Sequence, residues 1–171
     1  MLDDDGDVIE LLTRDHQTLR VLVKELDAEE QVDRLRTLFD LFVGQLAAHE
    51  AGEQQVVFPV YCDAVRAGSI EARRRTDEHE EINELLAEMR NLTPDDVGFE
   101  KRAGALSVEL DAHFAAEEED VFPELRASLS PGELMALGDR VRAIAKTAPL
   151  FPEPVLTQHV HAERRPKRSP S

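Results

Sequence analysis

One motif occurs twice in this 171-residue chain, and its repetition limits what the chain can fold into. The pattern His-x3-Glu-x4-Phe-Pro begins at His49 and again at His113, 64 residues later. A lone histidine precedes each copy: His16 lies 33 residues before His49, and His79 lies 34 residues before His113. An internal repeat of this kind is a signal about the fold. Because the repeated residues are imidazoles and carboxylates, it also indicates two half-sites for two metal ions.

The spacing of apolar residues predicts an all-α fold. Apolar side chains recur at three- and four-residue intervals, and no sustained alternation indicates a strand. Four long helices with short connections pack most simply as an up-down-up-down four-helix bundle, with a short fifth helix across one end. Pro59 and Pro123 should kink or divide the second and fourth helices. The predicted helices span about 7–27, 32–65, 69–91, 94–129 and 131–146.

Capping residues and composition predict the helix ends and the domain limits. Ser69 is a candidate N-cap for the third helix, Thr93 precedes a proline at the start of the fourth, and Ser130 opens a capping box with Glu133. Residues 1–147 are predicted to form one metal-binding domain. Residues 148–171 are rich in proline and lack periodicity, so they are predicted to be a disordered tail.

Composition excludes several classes of function. The chain has 36 acidic and 20 basic residues and a formal net charge of −16, which disfavours nucleic acid and anionic membranes as partners. One cysteine, Cys62, excludes a disulfide framework and a four-cysteine metal site. No apolar run is long enough to span a bilayer, and no secretory signal is evident, so a cytoplasmic protein is expected.

The four repeated histidines lie on the apolar faces of four different predicted helices. His16 follows Leu12 by four residues, and His49 follows Leu46 by three; His79 and His113 have equivalent positions. A lone histidine on such a face is usually a hydrogen-bonded core residue. Four of them in matching positions of a repeat favour a metal site instead.

Glu53 and Glu117 lie one helical turn beyond His49 and His113, on the same faces. A buried carboxylate without a partner costs several kcal/mol or becomes protonated. We find no Lys or Arg on these stripes to neutralise the two carboxylates, so a cation bound between the helices is predicted to do so.

The remaining polar and aromatic residues near the motif have structural interpretations. The two Phe-Pro pairs are predicted to close the bundle end and kink the helices, and Tyr61 and Cys62 are predicted to lie in the core. Four acidic residues are expected on solvated faces: Glu50, Glu118, Glu119 and Asp120.

The set of candidate ligands favours iron. Four imidazoles and two carboxylates are too many for one tetrahedral zinc ion and lack the all-oxygen shell of calcium or magnesium. Mixed imidazole and carboxylate ligation suits iron, with manganese or zinc as weaker possibilities. Divided evenly, each of two ions receives two histidines, while Glu53 and Glu117 bridge. Each ion would keep room for an oxo or hydroxo bridge and for a small ligand.

These motifs resemble the hemerythrin-like (HHE cation-binding) family. The resemblance covers about residues 7–147, through the segments VIELLTRDHQTLRVL, LAAHEAGEQQVVFP, DEHEEINELL and LDAHFAAEEEDVFP. It implies a non-haem di-iron site (Fe²⁺/Fe³⁺) inside a four-helix bundle that handles dioxygen and, in bacteria, also peroxide, nitric oxide or iron. It also implies six ligands in this chain: His16, His49, Glu53, His79, His113 and Glu117.

Two departures from the family pattern affect the expected function. Oxygen carriers have a fifth histidine four residues before the third-helix histidine, where this chain has Arg75, which argues against simple reversible oxygen carriage. They also place the last bridging acid five residues after the fourth-helix histidine, where this chain has Glu118. The repeat favours Glu117, and Glu118 remains the alternative.

The sequence leaves three functional hypotheses. The first is a hemerythrin-like di-iron protein that binds O2, H2O2 or NO. The second is an enzyme that disproportionates hydrogen peroxide, as catalase does. The third is an oxygen, nitric oxide or iron sensor, or an iron-handling module, in which the tail contacts a protein partner whose identity is unknown. Iron–sulfur repair is disfavoured because Cys62 stands alone.

Overall fold

The computed structural model of the chain describes residues 6–147, and every regular element within them is helical. The all-α class predicted from the sequence is confirmed, and the predicted tail, 148–171, lies outside the described residues. No helix in the described part is long and apolar enough to cross a membrane. The elements are α1 (Val8–Ala28), α2 (Val32–Gly52), π1 (Glu53–Val57), α3 (Phe58–Ala64), α4 (Gly68–Arg90), α5 (Val97–Ala116), π2 (Glu117–Val121), α6 (Phe122–Ser128) and α7 (Pro131–Ala145).

Four continuous helical rods form the predicted bundle. They are α1, α2–π1–α3, α4 and α5–π2–α6. Helix α1 packs against α2 and α5, while α4 packs against α3 and α5. The fifth helix of the prediction is α7, which packs against α1, α2 and π1. Consecutive rods are joined by short connections, so neighbouring rods run antiparallel.

Side-chain caps begin α1 and α7. The Asp7 carboxylate accepts hydrogen bonds from the backbone N–H groups of Ile9 and Glu10, and the Glu10 carboxylate accepts one from the Asp7 N–H. Ser130 and Glu133 form the same reciprocal capping box, as the sequence predicted. Each box satisfies N–H groups that a helix N-terminus would otherwise leave without acceptors.

Two predicted helix starts are wrong. Helix α4 begins at Gly68 and not after Ser69, because Ala67 has left-handed backbone geometry (φ 66°) and starts the helix early. Helix α5 begins at Val97, three residues after the predicted start at Pro94. The Asp96 carboxylate caps α5 in place of Thr93, accepting a hydrogen bond from the Gly98 N–H.

Pro59 and Pro123 divide the second and fourth rods, as predicted, and the structure shows that a π-helical segment precedes each proline. Each proline follows a five-residue π-helical segment, in which the Phe58 N–H donates to the Glu53 carbonyl and the Phe122 N–H donates to the Glu117 carbonyl. A proline ring would collide with the carbonyl four residues earlier in an α-helix, and the wider turn relieves this. With five residues in this turn, the glutamate and the phenylalanine of each motif both face the interior.

The hydrophobic core has two parts. One includes Leu19 and Leu46, and the other includes Leu12 and Val56. The four repeated histidines lie at the level between these two clusters, and all of them are buried. The bundle therefore holds a polar layer inside an apolar interior.

Close packing of α7 fixes the end of α2 immediately before Glu53. A Cβ atom added to Gly52 would lie 2.8 Å from Val141 Cγ1 on α7. Valine is stiff at χ1, so its methyl group cannot easily move away. The small residue at position 52 thus allows α7 to pack beside π1.

Replacing Gly52 with alanine is expected to destabilise the protein by about 1–3 kcal/mol through overpacking. The matched variant Gly104→Ala, in a helical position with no atoms near the added methyl group, should instead be neutral or stabilise by about 0.5–1 kcal/mol. Chemical denaturation of both variants and of Gly52→Ala/Val141→Ala measures this. The double variant should lose less stability than the sum of its single changes; simple additivity would contradict the contact.

Candidate metal centre

The structure brings all six predicted ligand residues together, from six elements on four rods. Within two overlapping groups of four, one candidate ligand atom per residue lies within 4.8 Å of every other. Glu53 and Glu117 belong to both groups. The remaining members are His16 on α1 and His49 on α2 in one group, and His79 on α4 and His113 on α5 in the other.

The histidines form two pairs whose Nε2 atoms converge. The Nε2 atoms of His16 and His49 are 3.2 Å apart, and those of His79 and His113 are 3.0 Å apart. Two nitrogen ligands at right angles on one ion would be about 3.0 Å apart, since each metal–nitrogen bond is about 2.1 Å long. The pairs therefore have the separation of neighbouring ligands on one ion.

Glu53 joins the two histidine pairs. Its Oε1 atom lies 3.4 Å from His49 Nε2, and its Oε2 atom lies 3.3 Å from His79 Nε2. Each oxygen thus faces a different pair. This is the placement required of a carboxylate that bridges two cations.

Glu117 occupies the corresponding place on the other side. Its Oε2 atom lies 3.3 Å from His16 Nε2 and 3.5 Å from His113 Nε2. The alternative residue, Glu118, points outward and reaches the other ring nitrogen, His16 Nδ1, at 2.8 Å. The geometry therefore favours Glu117 over Glu118 at the centre.

Both central carboxylates lack hydrogen-bond partners. The two oxygens of Glu53 and the two of Glu117 are buried and accept no hydrogen bond from any described group. Buried polar atoms are almost always satisfied, so four such oxygens at one point need another explanation. Cations bound between imidazole nitrogens and these oxygens would satisfy all of them, so the residues fit a pair of metal ions.

Ring neighbours hold the imidazoles with Nε2 directed inward. His113 Nδ1 lies 2.8 Å from the Glu78 carboxylate, just as His16 Nδ1 lies 2.8 Å from Glu118. In each pair Nδ1–H donates to the carboxylate, which leaves the Nε2 lone pair free for a cation. Gln54 Nε2 lies 3.0 Å from His79 Nδ1. Exchanging the amide nitrogen and oxygen by a flip of the side-chain amide would let the oxygen accept a hydrogen bond from Nδ1–H, as the carboxylates do.

Burial keeps two of the rings neutral. It lowers the pKa of His16 to about 2 and the pKa of His113 to about 3, and a neighbouring histidine adds to each shift. A histidine must be neutral to bind a metal ion. These rings are therefore ready to act as ligands at physiological pH.

The two carboxyl groups have opposite pKa shifts in the absence of a cation. Burial raises the pKa of Glu117 well above its usual value, and the charge of Glu53 adds to the shift. Burial would also raise the pKa of Glu53, but His49 and His79 outweigh it, and the pKa of Glu53 is lowered. The pocket thus favours the neutral form of Glu117 and the charged form of Glu53.

Aromatic rings enclose the centre. The Phe114 ring stacks on His16 at 4.1 Å between centroids, and Phe122 stacks on the same imidazole at 5.5 Å. Phe58 stacks on His79 at 5.8 Å. Phe58 and Phe122 thus contact the imidazoles, and their predicted role in closing the bundle end stays a prediction; nothing in the repeat indicated Phe114.

Several predictions about individual side chains were wrong. Glu50 is buried and accepts a hydrogen bond from Asn83, and Glu118 is half-buried, so neither lies on a solvated face. Arg75 is 2% exposed, which contradicts the inference that the inward stripes carry no basic residue. Tyr61 is in the core as predicted, but Cys62 is exposed.

The errors have different causes. Glu50 and Glu118 lie beside the apolar stripe, where burial depends on which neighbouring helix covers them. Arg75 lies on the stripe itself, one helical turn before His79, so its spacing indicated an inward position that the inference overlooked. The signal that sequence analysis missed is in the repeat itself: Gln54 and Glu118 follow the two bridging glutamates at equivalent positions, and both contact a histidine Nδ1.

The fold and centre together define a helical-bundle protein with an internal cation-binding cluster. Residues 7–125 match the profile of the hemerythrin HHE cation binding domain. The chain therefore belongs to the hemerythrin HHE cation-binding family, which confirms the resemblance inferred from its motifs.

Two curated proteins are similar to this chain. An uncharacterised hemerythrin-like protein of Schizosaccharomyces pombe is 23% identical over 148 residues, which cover 86% of this chain and 73% of that protein. A DNA nickase of Nostoc sp. is 25% identical over 128 residues, which cover 74% of this chain but only 35% of the nickase. The chain thus spans about a third of that relative's length.

A solved structure shows the same fold. The crystal structure of a hemerythrin HHE cation binding domain-containing protein from Mycobacterium kansasii has a TM-score of 0.71 against this chain. The two sequences are 21% identical, and the match covers 83% of this chain and 86% of the other.

Glu117→Gln is expected to stabilise the metal-free protein while weakening metal binding. The raised pKa of Glu117 means that the fold prefers its protonated form, so this carboxyl destabilises the metal-free protein at pH values above its unfolded pKa. The variant should therefore gain about 1–3 kcal/mol near pH 8, the cost of burying an unsatisfied charged group, and little near pH 4. Thermal unfolding after chelation measures this.

The exposed neighbour supplies the control. Glu119 is exposed, so Glu119→Gln removes the same charge away from the centre. It should change neither the stability of the metal-free protein nor its affinity for metal. Equal effects of the two substitutions, or a Glu117→Gln protein that is less stable than wild type at pH 8, would contradict the interpretation.

Proposed function

We propose that this protein binds two iron ions in the bundle and that the pair reacts with dioxygen or a related small oxidant, hydrogen peroxide or nitric oxide. The observation that carries this proposal is the position of Glu53, whose two oxygens face two separate pairs of imidazole nitrogens. A single ion would need only one of these oxygens.

The donor set favours iron among the metals. Imidazole with carboxylate is a borderline set that suits iron, manganese and zinc. Two histidines and two shared carboxylates give each ion four protein donors, which leaves an octahedral ion with exchangeable positions. Zinc commonly prefers four-coordinate sites, so open octahedral positions fit iron better.

An iron pair would supply reversible one-electron chemistry and open positions for a small ligand. The chain's own part is to hold and shield the pair. Glu53 and Glu117 provide the negative charge that balances two neighbouring cations, and Glu78 and Glu118 fix the orientation of the His113 and His16 rings. The surrounding apolar side chains limit the access of water.

The surroundings of the centre favour a small ligand. Two surface grooves approach it from opposite halves. A groove of about 450 Å³ between α1, α2 and α7 reaches Asp15 and His49, and another of about 390 Å³ reaches Gln54 and Phe58 beside His79. The phenylalanine rings stacked on the histidines leave the interior closed to large substrates.

The activity named for the Nostoc relative is not proposed for this chain. A nicking enzyme must approach the phosphate backbone, and a formal net charge of −16 opposes that. The chain also matches only 35% of the nickase. We propose a small diffusible ligand and neither nucleic acid nor membrane as the partner.

Anaerobic reconstitution with Fe²⁺ followed by metal analysis is expected to give about two irons per chain. After oxidation, Mössbauer spectra should show two magnetically coupled ions, because a shared carboxylate links them. Glu53→Gln keeps the size of the side chain but removes its charge, so it should lower the iron content and weaken the coupling, while Glu117 remains as the second shared carboxylate. Glu119→Gln should retain both. One iron per chain, or an unaltered pair in Glu53→Gln, would contradict the proposal.

Peroxide disproportionation is a second candidate, and the position of Arg75 favours it. Relatives that carry oxygen are expected to have a histidine ligand there, whereas the Arg75 side chain pairs with Glu71 and Glu78. The two ions would then have equal numbers of protein donors, and both could offer exchangeable positions to peroxide.

An oxygen electrode separates the two candidates. In disproportionation, two H2O2 molecules give two H2O and one O2, so an enzyme releases oxygen over many turnovers. Iron-loaded protein should release O2 far faster than the same concentration of free iron, and His113→Ala should lose that excess. A single spectral change on adding peroxide, without continuing O2 release, would support ligand binding and reject the enzyme.

A further inference from the structure

The residues that contact the outer nitrogens of the four histidines also follow the internal repeat. The residue after each bridging glutamate contacts a lone histidine: Gln54 lies 3.0 Å from His79 Nδ1, and Glu118 lies 2.8 Å from His16 Nδ1. Position 118 follows position 54 by 64 residues, the same interval that separates the two motifs. The two contacts are thus equivalent by sequence.

The residue before each lone histidine contacts a histidine of the motif. Asp15 Oδ2 lies 3.6 Å from His49 Nδ1, and Glu78 Oε2 lies 2.8 Å from His113 Nδ1. Glu78 is within hydrogen-bonding distance of its ring, whereas Asp15 is too far from His49 Nδ1 for a hydrogen bond. Every ring thus has a neighbour at Nδ1, and three of the four are hydrogen-bonded to it. The repeat therefore includes the ligands and the residues that orient them.

The chemistry of these equivalent positions is unequal. The imidazoles of His16 and His49 both face carboxylates, Glu118 and Asp15, although the second contact is longer. In the other half, His113 faces the carboxylate of Glu78, but His79 faces the neutral amide of Gln54. A carboxylate at Nδ1 makes an imidazole a stronger donor to a metal ion than an amide does.

A buried positive charge increases the difference. Arg75 Nη2 lies 2.9 Å from Glu78 Oε1, and the guanidinium is 2% exposed, so water screens it little. The position 63 residues earlier is Leu12, which brings no charge to the first half. Because Arg75 is buried, it offsets the charge of Glu78 strongly.

Arg20 contacts Glu118 in the first half, but its effect is weaker. Its side chain is 25% exposed, so water screens its charge more than it screens the charge of Arg75. Each of the two guanidinium groups also contacts a second carboxylate, Asp111 for Arg20 and Glu71 for Arg75. The buried Glu50 interacts more strongly with His79 than with His49, so it adds negative charge to the second half, where it accepts a hydrogen bond from Asn83. The difference between the halves therefore lies at the Nδ1 atoms: the half that contains His16 and His49 has a carboxylate beside each one, whereas the other half has one carboxylate and one amide.

We propose that the two metal positions are unequal: the position between His16 and His49 binds its ion more tightly and fills first, and the position between His79 and His113 is the weaker one. This inference rests on the proposed two-metal centre. It assigns the difference in affinity to two residues that are not ligands. Gln54 places an amide instead of a carboxylate at His79 Nδ1, and Arg75 offsets the negative charge of Glu78.

Isothermal titration calorimetry of the metal-free protein with Fe²⁺, under anaerobic conditions, tests the proposal. Wild type should show two binding steps whose dissociation constants differ by about 10–100-fold, the usual effect of residues that orient metal ligands. Gln54→Glu, which copies the residue at the equivalent position 118, should lower the dissociation constant of the weaker step and so bring the two dissociation constants closer together. Glu118→Gln should weaken the tighter step by about 10–100-fold.

Each substitution has a matched control beside it in the chain. Gln55→Glu adds the same charge as Gln54→Glu, and Glu119→Gln removes the same charge as Glu118→Gln, but both control residues are exposed and have no contact with a histidine ring among the described interactions. The controls should leave both steps unchanged. Circular dichroism of the metal-free variants shows whether each one folds. If either Gln54→Glu or Glu118→Gln does not fold, the affinity change in the other variant still tests the proposal.

The outcomes separate this inference from the proposed function. Two equivalents bound in one step of equal affinity would overturn the inequality and retain the two-metal centre. A Gln54→Glu effect on the tighter step, or controls that act like the tested variants, would overturn the assignment. Binding of fewer than two equivalents would overturn both proposals.

Discussion

Two carboxylates buried without hydrogen-bond partners are the constraint on which this structure depends. Glu53 and Glu117 lie between two apolar clusters, at a level where an ordinary bundle would place leucines. An isolated buried carboxylate is costly, and two close together are costlier because they repel each other. The surrounding histidines can offset that cost only in part without a cation. The centre thus lowers the stability of the metal-free protein, and metal binding is expected to restore it.

Much of the fold and the centre could be predicted from the sequence because both depend on local periodicity. Residues three, four and seven apart share a helix face, so the inward direction of His16 and His79 followed from their apolar neighbours alone. The repeat then identified Glu53 and Glu117 as equivalent. Their convergence needed no long-range information beyond the assumption that four helices pack as a bundle.

The features that sequence analysis missed depend on contacts between elements. Glu50 lies beside the inward stripe, and only the packing of the neighbouring rods determines that it is buried. Arg75 lies on the stripe, and its burial depends on the partners Glu71 and Glu78 that offset its charge. The π-helical segments were also missed, because a proline indicates a break but not how the preceding turn widens. Helix α5 starts late because Asp96 caps it in place of Thr93. Local propensity did not distinguish these two residues.

Crystallography of the metal-loaded protein, with anomalous scattering measured at the iron absorption edge, tests the central claim most directly. The account predicts two anomalous peaks inside the bundle, about 3–4 Å apart as in other two-metal sites. One peak should lie between the Nε2 atoms of His16 and His49, the other between those of His79 and His113, and a Glu53 oxygen should contact each. A single peak, or peaks away from these nitrogens, would contradict it.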